Sequence, residues 1–278
     1  MKSGFKRRLV LSSLLSGSLA AYGYGRWVER LYPEVVHVDM PVPNLPTELA
    51  GLKVAHLTDL HMGKLNSPEL MQKTVEMTNA LNPDLIVLTG DFVLEAIQAA
   101  GPLAEILAQL KSRFGKYAVL GNHDVWLSAR SVTRAFEHVG ILMLINECVE
   151  IQHANQTLYL GGLDSVWAGT PDFTAITKHW QKGKPLLLMA HEPDYADILA
   201  KHHVPLVQLA GHTHGGQVRV PWCGSIVRVT WGKKYIMGRY DVGDVHLYVN
   251  RGIGCTSHPV RFACQPEITL MRLRCELS

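Results

Sequence analysis

From residue 52 onward, short apolar runs alternate with polar residues and then with segments of helical spacing. "LKVAHLTDLH" predicts a strand ending at Asp59 and His61. "SPELMQKTVEMTNALNPD" predicts a helix with Ser67 as its cap and Pro68 at its first position, burying Leu70, Val75, Met77 and Leu81. "LIVLTGD" predicts a second strand running into Asp91, and Leu94 to Leu110 a helix. "KYAVLGNHD" predicts a third strand ending in Asn122, His123 and Asp124, and Ser128 to His138 another helix. A weaker run at "LYLGGLD" precedes the strand of "PLLLMAHEPD" with its His191, a helix through "DYADILAKHH", and the strand of "VPLVQLAGHTH". Such alternation predicts an α/β fold with parallel strands, right-handed crossovers and both sheet faces covered.

The polar residues fall where the apolar runs stop: Asp59 and His61, Asp91, Asn122 and His123, His191, and His212 with His214. Ligand sites of open α/β sheets lie beyond the carboxyl ends of the strands, so these clusters can converge on one point. With His123 set aside, they hold two aspartates, one asparagine and four histidines, too many ligands for a single zinc. Two ions sharing one carboxylate would use them all. Asp91 is the natural bridge, alone at its strand end behind Gly90. Oxygen mixed with imidazole suits Mn, Fe, Zn or Co. Paired divalent ions serve in-line displacement at phosphorus: one makes hydroxide from water near neutral pH, and both neutralise phosphoryl charge.

Length and composition fit this picture. A chain of 278 residues that is 47% hydrophobic and 18% charged suits a globular enzyme. The net charge of +3 carries no basic stripe, because Lys2, Lys6, Arg7 and Arg8 more than account for it. A nucleic-acid partner is therefore not expected. The five cysteines have no CxxC spacing and cannot all pair within the chain. Residues 1–25 read as an export signal or membrane anchor, with an uncharged stretch from Leu9 to Gly25 behind "MKSGFKRR". Arg7 and Arg8 resemble a twin-arginine signal, and the charge asymmetry predicts that the body of the protein crosses the membrane. A second reading is an amphipathic helix on a cytoplasmic protein. Residues 26–50 read as a linker or a leading segment, and 51–278 as one domain.

Asp-x-His (59, 61), Gly-Asp (90, 91), Gly-Asn-His-Asp (121–124), His191 and Gly-His-x-His (211–214) resemble the motifs of the calcineurin-like metallophosphoesterase family, in its order. The resemblance implies two facing mixed β-sheets flanked by helices, with the later strands, from "GSIVRVT" to "PEITLMRLR", completing the second sheet. It assigns Asp59, His61, Asp91 and His214 to one metal, and Asp91, Asn122, His191 and His212 to the other. It gives His123 the role of protonating the leaving group or steadying the transition state, which suits an imidazole near neutral pH. Asp124 would orient that ring or cap a loop. Gln217 is a candidate for a phosphate oxygen. "NRGIG" (250–254) and Arg261 resemble the tail motif of an exported or membrane-associated bacterial branch, making Arg251 a phosphate-contact candidate or a structural ion pair. His56 reads as a core histidine, His202 and His203 as helix-end residues, and Asp164 as a neighbour of the site.

The expected activity is dinuclear metal-dependent hydrolysis of a phosphoester, by a phosphodiesterase or phosphatase at the membrane or outside the cytoplasm. A lipid-linked substrate such as UDP-2,3-diacylglucosamine is a narrower alternative, and a non-catalytic metal-binding scaffold a weaker one.

Overall fold

The computed structural model describes residues 16–220, 222–225 and 227–276. The apolar runs become strands that are hydrophobic on both faces, and that single property sets the layers. In β2 (Lys53–Leu57) and β3 (Leu85–Leu88), Val54, Leu85 and Val87 point one way, and Ala55, Leu57, Ile86 and Leu88 the other. In β8 (Leu186–Met189) and β9 (Leu206–Ala210), Leu187, Met189, Val207 and Leu209 meet the first set, while Leu186, Leu188 and Leu206 face away. Period-two alternation thus builds a core between two sheets and leaves an apolar outer face on each.

The first sheet runs β1-β14-β2-β3-β4-β5, with β1 Glu34–Val42, β4 Lys116–Ala118, β5 Leu142–Met143 and β14 Glu267–Cys275. Strands β2 to β5 are mutually parallel. The second runs β12-β13-β9-β8-β7-β6, with β6 Glu147–His153, β7 Gln156–Gly162, β12 Gly238–Val242 and β13 Val245–Val249. Its inner strands β7, β8, β9 and β13 are parallel. Helices α2 (Pro68–Ala80), α3 (Ala100–Ala108) and α4 (Asn122–His138) cover the first outer face, and α5 (Phe173–His179) and α6 (Ala196–Leu199) the second. The result is the expected four-layer α/β/β/α arrangement.

Several local expectations need correction. Residues 26–50 are no linker, because β1 forms an edge of the first sheet, parallel to β14. β14, which spans most of "PEITLMRLR", enters that same sheet between β1 and β2, so it does not complete the second. Among its described residues, "GSIVRVT" supplies β11 (Gly224–Ser225), paired with β10 (Arg219–Val220) in a separate two-stranded ribbon, and an isolated bridge at Val229. Helix α4 begins at Asn122, and extended backbone at Ser128 divides it; the Ser128 hydroxyl accepts from the Ser131 N–H at 3.3 Å and so caps the second part. Helix α2 does start with Pro68 at its first position, but Ser67 makes no side-chain cap. Its buried face includes Thr74 and Thr78, whose hydroxyls donate to the carbonyls one turn earlier at 2.8 and 2.7 Å.

Residues 16–27 form a helix, α1, ahead of β1. Among the described residues, no helix is long and apolar enough to cross a membrane. The twin-arginine pair and Leu9 to Leu15 lie outside the described residues.

Candidate metal centre

The strand ends deliver the polar side chains by continuing the β2–β3 pairing past the strands. The Asp59 N–H donates to the Gly90 carbonyl and the His61 N–H to the Asp91 carbonyl, each at 2.9 Å. Gly90 lies against the Gly121 backbone, where a Cβ would collide, and this contact brings the β3 and β4 ends together. Asp59, His61, Asp91, His212 and His214 all adopt positive φ, between 47° and 71°. Five non-glycine residues in that region within one cluster mark backbone held against its preference, as functional sites often are.

Among the described residues, three overlapping groups of ligand atoms result: Asp59, His61 and His214; His61, Asp91 and His123; and Asp91, His191 and His212, the atoms of each group lying within 4.8 Å of one another. Asp91 Oδ2 stands 3.4 Å from His61 Nε2 and 3.2 Å from His191 Nε2, which places it between the two sides. His61 Nε2 and His214 Nε2 are 3.0 Å apart, and His191 Nε2 and His212 Nδ1 are 3.2 Å apart. Two neutral imidazoles aimed at each other with bare lone pairs repel unless something positive lies among them. Around them, Asp59 Oδ1 and Asn122 Oδ1 are buried with no hydrogen-bond partner. Orphaned buried oxygens are costly, and a cation is what this donor set would satisfy. The residues present fit a pair of divalent ions, one held by Asp59, His61, His214 and Asp91, the other by Asp91, Asn122, His191 and His212.

The residues behind the ligands fix their tautomers. His191 Nδ1–H donates to the Thr89 carbonyl at 2.6 Å, which leaves Nε2 bare toward Asp91. His212 does the reverse: Nε2–H donates to the Thr230 carbonyl at 2.7 Å and turns Nδ1 inward. His214 Nδ1–H reaches the Gly254 carbonyl at 3.3 Å. Such outer contacts orient metal-binding imidazoles and raise their basicity. The charges agree. Burial pushes the Asp59 carboxyl up, but the imidazoles of His214 and His61 more than reverse this and hold it well below the usual carboxylate range. Asp91 is likewise lowered, with His191 and His61 outweighing burial. His191 is raised well above the histidine range because the Asp91 charge overcomes burial. The cluster therefore draws positive charge to its centre, as a proton or as a cation.

His123 stands half-buried at the edge of this cluster, its ring perpendicular to that of His61 at 5.0 Å between centroids. Burial holds its imidazole below the usual range. Asp124 does not orient that ring. Its buried carboxylate accepts from the N–H groups of Phe92 at 2.9 Å, Val93 at 3.3 Å and Gly121 at 3.0 Å, and so ties the Asp91 loop to the start of α4. Burial and the Asp91 charge push it up to about 7.

Gln217 and Arg251 are both committed away from the cluster. The Gln217 amide donates to the carbonyls of Thr256 at 3.1 Å and His258 at 2.8 Å and accepts from the Thr256 N–H at 2.9 Å. Arg251 pairs with Glu267 and Glu34, each at 2.6 Å, the structural half of its two expected readings. Asp164 binds the N–H groups of Ser165 and Thr170, each at 2.8 Å, and holds its own loop. His56 is a core histidine whose Nε2 meets the Thr89 hydroxyl at 2.7 Å. Sequence reasoning passed over Glu192, Trp126 and Trp167. The signal available was position: Glu192 follows His191 at a strand end, and Trp126 lies one helical turn beyond His123.

Two sheets whose strand ends present this shared-carboxylate cluster define a metal-dependent phosphoester hydrolase. A family model for calcineurin-like phosphoesterases matches residues 52–216, and the chain belongs to that family. It is 32% identical to the uncharacterized metallophosphoesterase YkuE of Bacillus subtilis over 95% of each chain. It is 27% identical to the phosphodiesterase YaeI of Escherichia coli, covering 96% of this chain and 98% of that one. It is also 32% identical to a zebrafish transmembrane protein with a metallophosphoesterase domain, covering 98% of this chain but 64% of that protein. Among solved structures, the protein TT1561 of Thermus thermophilus shares the fold, with a TM-score of 0.50 and 14% identity over 73% of this chain and 90% of that one.

Proposed function

We propose that the protein hydrolyses phosphodiesters at a pair of divalent ions drawn from Mn, Fe, Zn or Co, at or beyond a membrane surface. The observation that carries this is the position of Asp91 between two ligand groups, with the orphaned oxygens of Asp59 and Asn122 beside it. When bound, the ions supply an activated water and neutralise charge on the phosphoryl oxygens. The chain's own part is to orient and to transfer a proton. The His123 backbone N–H donates to Asp91 Oδ1 at 2.9 Å and fixes the residue beside the cluster, and from there its ring can protonate the departing ester oxygen. The phosphodiesterase named among the relatives supports a diester over a monoester.

The membrane part rests on α1, which leaves Leu19, Tyr22 and Trp27 exposed, and on the zebrafish relative that is named a transmembrane protein. Aromatic residues of this kind favour a membrane–water interface. Metal-reconstituted protein is expected to cleave bis-p-nitrophenyl phosphate, and His123→Ala to lose about 10²–10⁴ in kcat with both ions retained. Full activity in that variant would remove its assigned role, and metal-independent partner binding without turnover would favour a scaffold. A substrate panel that includes UDP-2,3-diacylglucosamine tests the lipid-linked version, which needs a rate far above that for simple diesters. A reporter fused after residue 40 and active only in the cytoplasm would reverse the assigned location.

A further inference from the structure

Beside the cluster, four rings form an arc. His123 meets Trp126 at 5.2 Å between centroids, Trp126 meets Trp167 at 4.8 Å, and Trp167 meets His212 at 5.7 Å. The indoles come from opposite halves of the fold, Trp126 from the first turns of α4 and Trp167 from the loop after β7. Both are solvent-exposed, at 52% and 40%.

Neither is loosely placed. Trp126 is i+3 from His123 on one helical face. Trp167 is held through Glu192, which is fully buried next to His191. The Glu192 carboxylate accepts from the Ser165 hydroxyl at 2.6 Å and from the N–H groups of Val166 at 2.9 Å and Trp167 at 3.2 Å. A buried charge bound to three donors is a rigid support, and it ties an exposed indole to the residue after a metal-ligand candidate. Two fixed, edge-to-face indoles at the rim of a polar site leave apolar surface in water unless a ligand covers it.

We infer that Trp126 and Trp167 form a subsite for a planar aromatic ring carried on the substrate phosphoryl group by a short spacer, as a nucleobase is carried in a nucleoside phosphoester. The spacer follows from the arc: His123 and His212 each intervene between the cluster and an indole, so the covered group lies one ring-width out from phosphorus. A ring follows from the shape, because two indoles at 76° make a corner that stacks one flat group, whereas an alkyl chain gains from a longer apolar trough. The polar loop held by Asp164 and Glu192 borders the corner. Glu192 acts as a positioning residue.

This rests on the phosphoester reading above, and equilibrium binding separates the two. Calorimetry on the manganese-loaded full chain would compare methylphosphonate, hexylphosphonate and 2-phenylethylphosphonate, which share the phosphoryl anchor and cannot be hydrolysed. The phenylethyl compound is expected to bind about tenfold more tightly than the methyl one, the size of one aromatic stacking contact. In Trp126→Ala/Trp167→Ala that preference should shrink to within about twofold with metal content unchanged, and in Trp126→Phe/Trp167→Phe it should persist. Glu192→Gln should weaken the preference through Trp167 alone. A hexyl compound that binds as well as the aromatic one, or a preference that survives both alanines, would overturn the inference while leaving the phosphoester reading intact. Failure of all three compounds to bind would overturn that reading, and the subsite with it.

Discussion

The strand-end loops between residues 59 and 214 carry every metal-ligand candidate, whereas the loop from Asn250 to Glu267 carries none, yet both converge on the same cluster. The first region is placed by backbone pairing that prolongs the sheets. The second is placed by buried side chains that donate to, or accept from, backbone. Asn250 donates to the His56 carbonyl at 3.0 Å and to the Thr269 hydroxyl at 2.8 Å. Fully buried Arg261 donates to the carbonyls of Gly254 at 2.6 Å, Arg251 at 2.9 Å, Gly252 at 3.1 Å and Cys264 at 3.2 Å. Buried Glu29, two residues after α1, accepts from the N–H groups of Ala263 and Cys264. This loop then touches one side of the cluster only: the Gly254 N–H donates to the Asp59 carbonyl at 2.7 Å, and the Gly254 carbonyl accepts from His214. The Asp91, His191 and His212 side leans instead on Thr89 and Thr230. The two ligand groups are alike in chemistry and different in support.

The largest effect belongs to the residue that ignores this division. Asp91→Ala should abolish binding of both ions and lower phosphodiester hydrolysis by more than about 10³-fold. Metal analysis checks it, and retention of one full equivalent would show that Asp91 serves one group alone. Arg261→Met should separate the groups. It takes a donor from four carbonyls, of which Gly252 and Gly254 keep the Glu267 N–H and His214 while Arg251 and Cys264 lose theirs, so the chain should lose about 3 kcal/mol in denaturant unfolding. One of two metal equivalents should weaken by about 10–100-fold while the other holds. Equal weakening of both would mean that the loop supports the centre as a whole.

The ligand region was legible because each strand announces its end: an apolar run stops at Asp, His or Asn, and the side chains that follow have one place to converge. Their second neighbours were hidden for a physical reason. Asp124 binds N–H groups of Phe92 and Val93, and backbone donors look the same at every position of a sequence. Gln217 and Arg251 carry groups suited to phosphate, and only the fold shows that the 256–258 loop and two glutamates already occupy them. The insertion of β14 between β1 and β2 was equally out of reach, since it pairs residues more than 200 positions apart.

His56 lies under the Asn250 end of the junction, and its titration measures how dry that junction is. Burial pushes its imidazole down to about 4. The unfolded chain takes up a proton near pH 6.5 and the folded chain does not, so this contribution is fully present above pH 6.5 and is lost as pH falls toward 4. Between pH 7 and pH 5, the metal-free wild type should lose about 2 kcal/mol more stability than His56→Gln. Denaturant titrations at the two pH values check this. Parallel losses in the two proteins would mean that water reaches the imidazole, and that the support beneath the loop is looser than its hydrogen bonds indicate.

The smallest effect lies at the loop's outer edge, where Arg251 bridges two glutamates of unequal burial. The Glu267 side chain is 3% exposed and also accepts from the Tyr248 hydroxyl at 2.6 Å, whereas Glu34 is 41% exposed. Both sit 2.6 Å from the guanidinium, so distance alone would rank them equal. Solvent decides otherwise. Glu34→Gln removes a screened charge and should cost less than about 1 kcal/mol, whereas Glu267→Gln takes away the buried partner and leaves the half-buried guanidinium with the exposed Glu34 alone, which should cost about 3 kcal/mol. A Glu34→Gln penalty as large as that of Glu267→Gln would place the outer pair, and with it the leading strand β1, among the true supports of the metal centre.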